Sequence, residues 1–90
     1  MKQSQEQQVK EMLGKYGYVT NFWAIHNYIL RLGAIIKNLR DDGLEIEGMF
    51  GAKLNGAPKS HDKNFYYFTK RSVYLDKNGK WTPNVKLVEL

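Results

Sequence analysis

Apolar positions recur with helical spacing as far as Gly43 and alternate beyond it. Val9, Met12, Leu13 and Tyr16 fall at i, i+3, i+4 and i+7, a single stripe with Gln, Lys and Glu opposite, which is the pattern of an amphipathic helix. Ser4 with Gln7 has the form of a capping box, and Gly17 suits the left-handed residue that closes a helix, so the first helix is predicted over Gln5 to Tyr16. Tyr18-Val19-Thr20 reads as a short extended stretch, after which Thr20 or Asn21 caps a second helix reaching Asn27. That helix is bulky (Phe22, Trp23, Ile25), and Ala24 is the small residue that lets another helix approach. A third helix is predicted over Leu30 to Asp42, with Gly43 as its terminator. At about 100° per residue, Leu32, Ile36 and Leu39 share one face with Ile35 at its edge, while Arg31, Ala34, Lys37, Asn38 and Asp41 lie opposite.

From Leu44 the period becomes two. Leu44, Ile46, Gly48 and Phe50 alternate with Glu45, Glu47 and Met49, which predicts a strand with the first set buried. Gly51 to Asp62 (GAKLNGAPKSHD) has the composition of a loop with few apolar anchors and is expected to be the most mobile internal segment. Lys63 to Thr69 returns as an aromatic strand, pairing antiparallel with the first around a lysine-bearing tip. Its Phe65-Tyr66-Tyr67-Phe68 run is expected to turn one face to the core and the other to a terminal hairpin. Asn78-Gly79 marks that hairpin's turn, Trp81 belongs to the cover, Pro83 limits the second arm, and Val85 to Leu90 is a candidate further edge segment.

The residues from Tyr28 to Ile46, YILRLGAIIKNLRDDGLEI, resemble a family of small winged helix-turn-helix proteins common in phages and prophages. Ile29, Arg31, Leu32, Ala34, Ile36, Leu39, Arg40, Gly43 and Ile46 stand where the family pattern asks for them, and Gly17, Val19, Thr20 and Ala24 resemble its lead-in. The resemblance covers about residues 5 to 69 and leaves the last twenty uncovered. It implies an α+β fold, a winged helix-turn-helix of three helices plus a two-stranded wing over residues 1–71, to which the chain adds a C-terminal β-hairpin extension at 72–90 packed on the same domain. It also implies double-stranded DNA binding, in phage or prophage transcriptional regulation or another DNA transaction, in the cytoplasm of a bacterial host. Three positions depart from the pattern. Leu30 occupies the usual Thr cap, a deficit of roughly 1 kcal/mol. Tyr28 replaces the turn glycine, which predicts a different turn conformation. Ile35 replaces an arginine of the reading helix.

Composition sharpens this picture. Ninety residues make one small domain, and 4 Phe, 6 Tyr and 2 Trp within 42% hydrophobic residues are enough for one core. No window approaches the roughly 18–20 uncharged apolar residues of a membrane helix, and the start MKQSQEQQ lacks a signal-peptide apolar region, so no membrane partner is expected. With no cysteine and only His26 and His61, thiol chemistry is excluded and neither a metal site nor a cofactor is expected. No constellation supports an enzyme. Fourteen Lys and Arg against nine Asp and Glu give a net charge of +5, which favours a polyanionic partner, nucleic acid first. No segment is a basic tail, so any positive face must be assembled by folding.

The candidate DNA-binding residues follow from groove chemistry. The major groove, about 12 Å wide, admits one helix, and the residues facing it must be small or hydrogen-bonding. Arg31 suits guanine, Asn38 suits adenine, Lys37 suits guanine or phosphate, and Gly33 and Ala34 permit close approach. On the wing, Lys53, Lys59, Ser60 and Lys63 suit phosphate, which sets affinity and register more than sequence choice. The plain alternative for each is a solvated polar surface, and His61 reads as incidental. Stacking of bases on the aromatic strand is disfavoured against a core role. The alternative function is a protein-interaction module of the same fold without DNA binding, favoured by the missing arginine at Ile35, with a protein partner or a second copy docking on the aromatic second helix (Phe22, Trp23) or on the terminal hairpin.

Overall fold

A computed structural model describes residues 4–88. It is an α+β fold of three helices and two small antiparallel sheets. Helix α1 spans Gln5–Tyr16, as its stripe predicts: the Ser4 hydroxyl accepts from the Gln7 N–H at 3.1 Å, and Gly17 ends it at φ 83°. Strand β1 (Tyr18–Thr20) runs directly into α2 (Asn21–His26), whose first turn is capped by the Thr20 hydroxyl accepting from the Trp23 N–H at 3.0 Å.

Helix α2 ends in a Schellman motif. The Ile29 N–H donates to the Ala24 carbonyl at 2.7 Å and the Tyr28 N–H to that of Ile25 at 3.1 Å, while Ala24 and Ile29 meet in the core. Tyr28 holds the left-handed position of that motif at φ 59°. The turn therefore keeps the conformation glycine favours and fits a tyrosine into it, which corrects the expectation of a different turn.

Helix α3 is shorter than the periodicity suggests, Leu32–Asp41 rather than Leu30–Asp42. Ile29 is buried and fixes the chain behind it, so Leu30 and Arg31 bridge from the left-handed turn to the helix in non-helical backbone. Arg31 is the residue before the first turn, with φ −119° and ψ 41°, so the cap position falls there and not at Leu30 as expected, and no side chain caps the start. At the other end Gly43 and Leu44 close a second Schellman motif on the carbonyls of Arg40 and Leu39. Leu32, Ile36 and Leu39 are buried as expected, and so is Ile35, which belongs to the core rather than its edge.

Strands β2 (Ile46–Phe50) and β3 (Phe65–Thr69) pair antiparallel, and β1 pairs with β3 on its other side, giving the order β1-β3-β2. Side chains alternate across this sheet and both faces are covered. On one, Val19, Ile46 and Tyr67 pack with Val9, Leu13, Ala24, Ile29 and the buried face of α3. On the other, Tyr18, Met49, Tyr66 and Phe68 form a second core with Leu54 and Val73, over which Trp81, Val85 and Leu87 pack. This corrects the expected single buried face of β2: Met49 is buried and Phe50 is 49% exposed, because the strand is half of a sandwich rather than the edge of one core.

Strands β4 (Val73–Leu75) and β5 (Trp81–Pro83) form the terminal hairpin. Its turn is closed by the Asp76 carboxylate, which accepts from the N–H groups of Asn78 at 2.9 Å and Lys80 at 2.8 Å, with Gly79 at φ 76°. Those bonds, that from Lys80 foremost, hold the Asp76 carboxyl below the usual aspartate range. Residues 84–88 do not form the expected edge strand. They are tied instead by the Tyr18 hydroxyl, which donates to the Val88 carbonyl and accepts from the Val88 N–H, both at 2.6 Å; the rest of that expectation, 89–90, lies outside the described residues. Among the described residues no helix is long and apolar enough to cross a membrane.

Candidate nucleic-acid interface

The outward face of α3 is assembled by the packing of the inward one. With Leu32, Ile35, Ile36 and Leu39 turned into the core, Gly33, Ala34, Lys37 and Asn38 are left together on the exposed side, and Arg31 is exposed just ahead of the first turn. Arg40 is committed elsewhere: its Nε donates to the Ile46 carbonyl at 3.1 Å and ties the end of α3 to β2. Asp41 and Asp42 put the negative charge of this helix at its far end. Ile35 is spent on the core and presents no side chain on the outward face.

The second set of predicted residues lies on the connection between β2 and β3, and this connection is not a free tip. It contains two single turns of 3₁₀ helix, Gly51–Lys53 and Lys59–His61. Leu54 is buried and bridges to Trp81 of β5. Asn55 donates from its side chain to the Asp76 carboxylate at 2.8 Å and the Thr82 hydroxyl at 2.9 Å, and its N–H donates to the Trp81 carbonyl at 2.8 Å. His61, read from sequence as incidental, is buried with Nδ1 2.7 Å from the Tyr66 hydroxyl. The expectation of a segment with few anchors is thus corrected: the terminal hairpin braces its first half and the second core its other end. Lys53, Lys59, Ser60 and Lys63 are all exposed on this braced connection, where Asp62 is the only carboxylate.

The helix 2 patch differs from its prediction. Trp23 is half-buried against the helical core, whereas Phe22, Ile25 (59% exposed), Tyr28 (86%) and Leu30 (83%) are open to solvent. The left-handed turn is the reason, since burying Ile29 swings its neighbours Tyr28 and Leu30 outward. Phe50, half exposed, and Phe65, partly buried, are also absent from the predicted set. Phe50 belongs to the set that alternation along β2 predicts as buried, so the sequence pattern carries no signal for its exposure. Among the described residues no three His, Asp or Glu side chains come together as a metal-binding group. Comparison with protein-family models, curated proteins and solved structures finds no match for this chain.

Proposed function

We propose that this chain is a winged helix-turn-helix protein that binds double-stranded DNA, with α3 in the major groove and residues 51–64 acting as the wing. The observation that carries the reading is the division of α3 into an apolar buried face and an exposed face of Gly33, Ala34, Lys37 and Asn38, preceded by Arg31. Small residues allow close approach to base edges, Asn38 offers the two-point match to adenine, and a recognition helix reads bases with its N-terminal residues, the end where Arg31 stands. Lys53, Lys59, Ser60 and Lys63 supply phosphate contacts from a connection that its anchors hold in place. No catalytic step is involved, and the role is one in transcriptional regulation or another DNA transaction of a phage or prophage.

The test is a titration of the full chain with duplex DNA at two salt concentrations. Binding that weakens with salt, with a slope near −0.9 per phosphate contact, supports the reading. Absence of any salt-dependent affinity overturns it. The second reading is a protein-interaction module of the same fold, and the observation that favours it is the exposed group Phe22, Ile25, Tyr28 and Leu30.

A further inference from the structure

The face of the sheet that packs on the helices extends beyond them. Ile46 of β2 is buried under the helices, but Gly48 carries no side chain and Phe50 is half exposed. The register sets Tyr67 of β3 beside Gly48, and Phe65 beside Phe50. The three rings form one row: the Phe65 centroid is 4.9 Å from that of Tyr67 at 58°, and 4.9 Å from that of Phe50 at 88°. Gly48 lets the row approach the strand closely. A Cβ there would stand 2.5 Å from Cε1 of Phe65 and 3.3 Å from Cε1 of Tyr67, so both rings rest on bare β2 backbone. At the helical end the Tyr67 hydroxyl reaches Gly33, coming within 3.9 Å of where a Cβ would sit. The row therefore starts beside the exposed face of α3 and ends at the β2–β3 connection.

The elements at its two ends carry exposed cations, with Asp62 the one carboxylate on the connection. Lys53, Lys59 and Lys63 are exposed on the connection that joins the two strands, and Arg31 and Lys37 are exposed on α3. Glu47 pairs with Phe68 and so belongs to the opposite face of the sheet. Rings with lysine and arginine on the elements at either end suit a nucleobase between its phosphates, since every base has a π face to stack and a charge on either side to neutralise. A continuous duplex offers no such face, because its bases are stacked on one another.

We infer that Phe50, Phe65 and Tyr67, which meet edge to face and tilted, form an aromatic site where an unpaired nucleobase stacks on one exposed ring face. The protein then holds DNA with a base displaced from the duplex, as at a bulge, more tightly than an unbroken duplex. This inference rests on the nucleic-acid reading and adds what the target must offer.

The test compares two duplexes identical except for one extrahelical 2-aminopurine, titrated with the full chain at two salt concentrations. The bulged duplex should bind about tenfold more tightly, with quenching of the 2-aminopurine emission as it stacks. Phe65→Leu and, separately, Phe50→Leu should abolish both the preference and the quenching while leaving affinity for the unbroken duplex intact. Phe50, half exposed, serves if the Phe65 variant does not fold. Equal wild-type affinity for the two duplexes, or a preference that survives both substitutions, overturns the aromatic site and leaves the DNA reading standing. Lack of salt-dependent affinity for either duplex overturns both.

Discussion

Gly51 lies directly against the carbonyl of His61, so that a Cβ on Gly51 would run into that oxygen. The two residues open and close the folded part of the β2–β3 connection, and the Gly51 N–H donates to the Asn64 carbonyl at 2.9 Å beside the same contact. Backbone cannot yield there as a flexible side chain would. Gly51→Ala should therefore cost about 1–3 kcal/mol, as overpacking of a tight site does, read as a lower urea midpoint with unchanged slope. An alanine variant as stable as the wild type would mean the connection is not held at this point.

Leu39 is fully buried at the centre of the helical core. Leu39→Ala should cost about 2–5 kcal/mol in equilibrium unfolding, the range for a leucine whose cavity cannot collapse. A loss below about 0.5 kcal/mol would place this side chain at the surface and reverse the two faces of α3.

Tyr28 offers the opposite sign. Its side chain is exposed, and its backbone occupies a region that costs an ordinary residue roughly 1–2 kcal/mol. Glycine relieves that strain and returns part of the gain through its more mobile unfolded chain, so Tyr28→Gly should stabilise by about 0.5–1 kcal/mol. A gain in melting temperature together with weaker partner binding would mark Tyr28 as a residue kept for contact rather than for folding.

The terminal hairpin should be acid-sensitive. The Asp76 carboxyl is held below its ordinary range chiefly by the Lys80 N–H, so its bonds stabilise the folded state above the unfolded carboxyl value and are lost as pH falls through the folded one. Wild type should thus lose hairpin stability on acidification, seen in amide exchange of 73–83, and Asp76→Asn should flatten that dependence. A variant with the same acid profile as wild type would assign the sensitivity to another carboxylate.

If α3 reads bases while the connection holds phosphate, two sets of substitutions separate. Lys53→Ala or Lys59→Ala should weaken all duplexes alike and lower the salt slope by about 1. Arg31→Ala or Asn38→Ala should cost about 1–3 kcal/mol on the preferred site and relax choice at one base position, measured by competition between sites. Uniform behaviour across both sets would remove the division of labour.

The helices were legible because their signals are local. Ser4, Thr20, Gly17 and Gly43 act within a turn of their own positions, and the 3.6-residue spacing names the buried side. Arg31 was misplaced into α3 because the cause lies in Ile29, whose burial a neighbouring residue does not announce. The β2–β3 connection was legible as a loop by composition, yet what holds it is Asn55 reaching Thr82 across 27 positions, and no local pattern encodes that. The second core was legible on β3, whose aromatic run implies a hairpin over its outer face, and hidden on β2. Alternation along β2 identifies two faces, and only the hairpin arriving over Met49 and Phe68 decides that both are covered.

The central place of β3 also dictates an order of assembly. Its partners β1 and β2 both precede it in the chain, and they touch it rather than each other. During synthesis, with the N-terminal end emerging first, α1, α2 and α3 are available to collapse early, whereas two outer strands wait with their inner edges unpaired until residues 65–69 leave the ribosome. That interval is when this chain is most exposed to pairing with another, and it closes with the arrival of a single five-residue strand.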